Sequence, residues 1–131
     1  MSNTISVLLI EPGKYPKMIE IENTLEAKQK LVGGNIEMLM PFEDEVAIIC
    51  NDEGKIIGLP ENRGIHDDCG GLLDFVFGTF LVVYAPVESE NFESLPEKLA
   101  EKYKQVFLYP ETLVRIFGKL CSVACPVDEK H

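Results

Sequence analysis

His66, Asp67, Asp68 and Cys69 stand consecutively, and Cys121 and Cys125 lie four residues apart, so one imidazole and three thiolates could in principle converge on zinc. The spacing argues against it. Structural zinc pairs sit on tight C-x2-C knuckles, whereas a four-residue interval is what one face of a helix also produces. The zinc deaminase pattern fails as well, because no glutamate follows His66 by two positions. Cys50 ends the apolar run Val46–Ile49 and reads as a small core residue. The first residues, Met1–Thr4, lack the basic start of a secretion signal, so all four cysteines are expected to be reduced in a cytoplasmic protein.

Nucleophilic chemistry needs a base beside a serine or cysteine, and His66 and His131 are the two histidines of the chain. His66 beside Asp67 has the composition of an oriented base, though such neighbours are commonplace in exposed loops. Gly33–Gly34 follows a helical pattern and precedes a strand, the reverse of a phosphate-binding loop. Carboxylates are too numerous for any pair to stand out. No catalytic residue, metal or cofactor is therefore expected.

The more distinctive stretch is Gly58–Leu59–Pro60–Glu61–Asn62–Arg63. Arg63 is the single arginine of an acidic region, and its planar fork suits a carboxylate or phosphate presented edge-on. Asn62 adds a donor and an acceptor, and Lys14 is a candidate second cation, which together would make a small anionic, nucleotide-like ligand site. The competing expectation is that Asn62 caps a turn while Arg63 pins its loop through Asp67, Asp68 or Asp74.

Twenty-two acids against twelve bases give 131 residues a net charge of -10. Between Gly34 and Glu93 there are thirteen acids and two bases, a net of -11, so the remainder sums to +1. Such a surface repels a phosphate backbone, and direct nucleic-acid binding is not expected. Acidity serves solubility, or mimics DNA towards a basic partner. No apolar run reaches the roughly 18 residues of a membrane span.

These residues must be positioned by one domain, since 46% hydrophobic content over this length supports a single core. Thr4–Ile10 reads as a buried strand, paired through a proline- and glycine-rich turn with the alternating Met18–Glu22. Thr24–Val32 reads as a short helix, with capping-box spacing from Asn23 to Glu26 and a glycine stop at Gly33. Strands follow at Ile36–Met40 and Glu45–Cys50, with a short edge strand at Lys55–Ile57. Gly58–Gly71 reads as the longest irregular segment, and Phe75–Ala85 as a strand interrupted at Gly78–Thr79.

From Ser94 onwards Leu95, Leu99, Tyr103, Val106 and Phe107 form one helical stripe, and Leu113, Ile116, Phe117, Leu120, Cys121 and Ala124 form another, ended by Pro126. The class is accordingly α+β: one mixed, mostly antiparallel sheet, with a short helix and two C-terminal amphipathic helices packed on it. Ile5, Val7, Leu9, Ile48 and Val82 are expected to be buried in one sheet, with Leu99 and Phe107 packed on that sheet. A homodimer interface is a second use for such apolar stripes.

Several stretches recur as an ordered set: Glu11–Lys14, Leu31–Gly34 with Ile36–Glu37, Pro41–Phe42, Cys50–Lys55, Gly58–Pro60 with Asn62–Arg63, and Gly78–Phe80. By these the chain resembles domain-of-unknown-function family 3846, found in bacteria, their phages and mobile elements. The resemblance spans about Ile5 to Phe107. It implies no catalytic role, and its setting suggests an accessory protein of a phage or mobile element. Residues 1–108 are then a family-like core of a single domain, 1–131, and 109–131 a C-terminal helical extension. The functional expectation is a non-enzymatic protein that acts on a protein partner through its acidic face or the Gly58–Gly71 segment.

Overall fold

The computed structural model describes residues 3–127, so His131 and the end of the extension lie outside the described residues. Strands β1 (Thr4–Ile10) and β2 (Lys17–Glu22) form the expected antiparallel hairpin. Helix α1 (Leu25–Val32) begins where the Thr24 hydroxyl accepts the Ala27 amide at 3.1 Å, one residue later than the capping spacing at Asn23 implied. It ends at Gly33, whose φ of 81° lets its amide return to the Gln29 carbonyl.

Strands β3 (Ile36–Leu39) and β4 (Val46–Asn51) follow, then β5 (Glu61–His66), β6 (Leu72–Phe77) and β7 (Phe80–Tyr84). β1, β2, β3, β4 and β7 make one five-stranded sheet in the order β2-β1-β7-β4-β3, with every pairing antiparallel. The predicted core is where expected: Ile5, Val7, Leu9, Ile48 and Val82 are all buried. Strand alternation divides them between two faces. Ile5, Val7 and Leu9 join Ile49, Leu81 and Val83 on the face that Leu31 of α1 and Phe92 cover. Ile48 and Val82 join Leu8, Ile10 and Phe80 on the other, under helix α2 (Glu97–Val106) and the β5–β6 hairpin. Leu99 and Phe107 pack there as anticipated.

Three local expectations are corrected. Lys55–Ile57 is a run of turns with Ile56 and Ile57 exposed, because the Ile57 and Leu59 amides bond locally to the Glu53 and Gly54 carbonyls and not to a neighbouring strand. The supposedly irregular Gly58–Gly71 segment contains β5, bulged between Glu61 and Arg63. The interruption expected at Gly78–Thr79 is present, but the two halves of Phe75–Ala85 are strands of different sheets and not one strand, because Gly78 has φ 85° and turns the chain against Leu59.

The largest correction is C-terminal. The second amphipathic helix does not form; β8 (Glu111–Ile116) and β9 (Lys119–Ala124) pair as an antiparallel hairpin. Its two turn residues, Phe117 at φ 50° and Gly118 at φ 78°, are both left-handed, the requirement of a type I′ turn. β-branched Thr112, Val114, Ile116 and Val123 favour strand over helix, and Gly118 interrupts what would be the helix middle.

Candidate functional site

Asn62 and Arg63, singled out by their chemistry, are both completely buried. The bulge in β5 turns Asn62 inward, where its amide donates to the carbonyls of Ile10 at 2.9 Å and Gly78 at 2.8 Å. Its side-chain oxygen accepts from Arg63 Nη1 at 2.7 Å. Arg63 Nε donates to the Phe107 carbonyl at 2.9 Å, Nη2 to the Lys14 carbonyl at 2.6 Å, and Nη1 more loosely to Glu11 at 3.5 Å. The guanidinium thus ties β5 to the end of α2 and to the β1–β2 turn.

Neither sequence expectation describes this arrangement. Asp67, Asp68 and Asp74 form no ion pair with Arg63 among the described residues; Asp74 pairs with Lys55 at 3.2 Å, and Asp67 accepts the Cys69 and Gly71 amides. Lys14 meets Arg63 through its backbone carbonyl and keeps its side chain on the surface, so the two cations do not converge. Burial pushes the Arg63 pKa down to about 10. Neutral carbonyl and amide oxygens bond the guanidinium while Glu111 favours its charge from nearby, and its fork is committed inward rather than open to an anion.

Sequence reasoning missed a cluster built from three elements. His66 Nε2 lies 2.8 Å from Glu111 Oε1, and the Ser122 hydroxyl donates to the same oxygen. Gly64 makes room: a Cβ there would come within 2.8 Å of Glu111 Oε1 and 2.9 Å of both His66 Nε2 and Ser122 Oγ. Since 45 residues separate His66 from Glu111, no local spacing could announce the pair. Asp67, the neighbour that suggested an oriented base, is not the partner. The order of the bonds also matters for chemistry. The Ser122 hydroxyl donates its hydrogen bond to the Glu111 carboxylate and not to the imidazole, which is not the serine–histidine pairing of a nucleophilic triad. The cluster instead clamps the β8–β9 hairpin onto β5, with help from Glu61, which accepts the Thr112 hydroxyl at 2.6 Å and the Leu113 amide at 3.0 Å.

His66 also borders a cleft of about 370 Å³ with Phe42, Leu73, Tyr103 and Val106. At the neighbouring loop Asp44 accepts from Lys102 at 2.5 Å and from the Tyr103 hydroxyl at 2.7 Å. These two donors hold the Asp44 carboxyl below the usual carboxylate range, while burial foremost pushes the Tyr103 phenol up. Cys50 is in the core, its thiol pushed up to about 12 by burial, and the four cysteines are unbridged. Among the described residues no group of three or more histidines, cysteines and carboxylates is arranged to hold a metal ion. No helix among them is long and apolar enough to cross a membrane.

The side chains that folding leaves outside are concentrated differently. Ile116, Phe117, Leu120 and Val123 are all exposed on the C-terminal hairpin, and Phe117 at its tip is fully so. Phe117 is also the one non-glycine residue with positive φ among the described residues.

The chain belongs to the family DUF3846, a domain of unknown function, whose model matches residues 5–108. The match includes the Asn62–Arg63 hub and ends before the hairpin at 111–124. Among curated proteins and among solved structures, nothing matches the chain.

Proposed function

We propose that this chain is a non-enzymatic cytoplasmic interaction module, an accessory protein of a phage or mobile element whose C-terminal hairpin engages a protein partner. The observation that carries the reading is Phe117. A type I′ turn favours asparagine, aspartate or glycine at that position, and a bulky side chain at positive φ is strained by roughly 1 kcal/mol or more. Phe117 also leaves its whole ring in water. The isolated fold gains from neither property. A partner that buries the ring would gain a large apolar contact at small entropic cost, the usual character of an interface anchor.

The hub at Asn62 and Arg63 is read as the scaffold for that display, because its donors are spent on holding β5, α2 and the β1–β2 turn together. The test is a photo-crosslinking side chain at position 117, set against one at Val87, which is 81% exposed on another part of the surface. In cells that make the protein, position 117 should give a discrete protein adduct and position 87 none. Equal adducts from both, or none from position 117, would overturn the reading.

A further inference from the structure

The register of the hairpin decides which backbone groups face outward. Ile116 and Lys119 flank the two-residue turn and form the hydrogen-bonded closing pair, so bonded pairs recur at every second residue. The Cys125 amide, donating to the Pro110 carbonyl at 2.8 Å, keeps the same phase. The amides and carbonyls of Leu120, Ser122 and Ala124 therefore point away from β8, as those of Glu111, Leu113 and Arg115 point away from β9.

The two edges are finished differently. On the β8 side the Leu113 amide is taken by the Glu61 carboxylate. On the β9 side the backbone groups of Leu120, Ser122 and Ala124 have no partner among the described residues, and β9 pairs with β8 alone. No proline, bulge or charge lies between Leu120 and Ala124, the devices that ordinarily blunt a free edge.

We infer that the β9 edge takes up an extended segment of a partner protein as a third strand, and that this segment carries acidic residues. The inference rests on the reading of the hairpin as the recognition element and adds what it recognises. The ladder supplies the main-chain bonds of strand addition. Charge selects the occupant: Arg115 and Lys119 flank the tip, while Glu111, the hairpin's one acid, is turned to His66 and Ser122. The hairpin is thus +1 on a chain of net charge -10, so an acidic strand meets a net attraction there and not the repulsion of the acidic 34–93 region. A second copy would bring the same excess of negative charge with it.

The probe is a labelled seven-residue peptide that alternates valine and threonine and ends in glutamate on both sides, titrated into the full chain and followed by amide NMR. The glutamate peptide should slow exchange of the Leu120, Ser122 and Ala124 amides at least tenfold, and a lysine-ended version should bind at least tenfold more weakly. Ala124→Pro removes one outward N–H without touching a bonded pair, so it should keep the melting temperature and lose at least tenfold in peptide affinity. Binding unchanged by Ala124→Pro, equal binding of the two peptides, or perturbation confined to other residues would overturn the inference. Protection that grows with protein concentration in the absence of peptide would overturn it in favour of a second copy. A discrete crosslink from position 117 alongside any of these failures would leave the broader interaction reading standing.

Discussion

The hub around Arg63 and the hairpin around Phe117 invert the expectation their residue types create. Arginine is a recognition residue on most surfaces, yet here it is sealed in the interior with four oxygen acceptors. Phenylalanine is a core residue in most domains, yet here it stands in water at a strained turn position. The difference is one of accounting for polar groups. The β1–β2 turn, the end of α2 and the β5 bulge each bring a carbonyl or amide oxygen into the interior, and one guanidinium satisfies all of them. Nothing in the interior asks anything of Phe117.

The comparison breaks most visibly at Arg63. Arg63→Ala strands the Phe107, Lys14 and Glu11 carbonyls and the Asn62 oxygen, which should cost about 3 kcal/mol or more in urea unfolding. That is well above the roughly 0–1 kcal/mol of an exposed loop-pinning ion pair. Arg63→Lys should recover little, since a single ammonium cannot span the three elements. A change within about 0.5 kcal/mol would mean the hub is not structural.

Gly64→Ala tests the joint between the two regions. Its methyl would collide with Glu111, His66 and Ser122 at once, so the clamp must open, at about 1–3 kcal/mol. The expected signature is selective: amide shifts across 111–124 with the five-stranded sheet unchanged. Uniform destabilisation would show that the hairpin and the core are not separable.

Tyr103→Phe has a smaller effect, about 1 kcal/mol from the lost bond to Asp44. Its pH dependence has a definite sign. Asp44 is held below its ordinary value when folded, so its contribution is present above the usual carboxylate range and is lost as the pH falls through and below it. Without the Tyr103 hydroxyl that acid-side loss should shrink, which thermal melts from neutral pH down to pH 3 would register.

Phe117→Asn should have the smallest effect and the opposite sign. Replacing a strained aromatic with a residue that tolerates the left-handed region should raise stability by up to about 1 kcal/mol, while partner capture from the hairpin is lost. A loss of stability would mean the ring packs on the fold after all.

The sheet was legible because β1, β4 and β7 are almost wholly apolar and read as buried whatever their neighbours. The C-terminal hairpin was not, because Leu113, Ile116, Phe117, Leu120, Cys121 and Ala124 satisfy a helical period by chance, while the decisive pair Phe117–Gly118 is a two-residue signal. Composition also misled at Arg63. Its neighbours Glu61, Asn62 and Gly64 look like loop, and its burial comes from Phe107 and Lys14, 44 and 49 residues away. The same distance concealed the pairing of His66 with Glu111.

One hydrogen-exchange spectrum of the unmodified chain addresses both regions together. The Arg63 Nε–H, bonded to Phe107 in the interior, should exchange only as fast as the whole domain unfolds, while the outward amides of Leu120, Ser122 and Ala124 should exchange near the rate of an unstructured chain. Rapid exchange at Arg63 Nε with protection along the β9 edge would contradict the account.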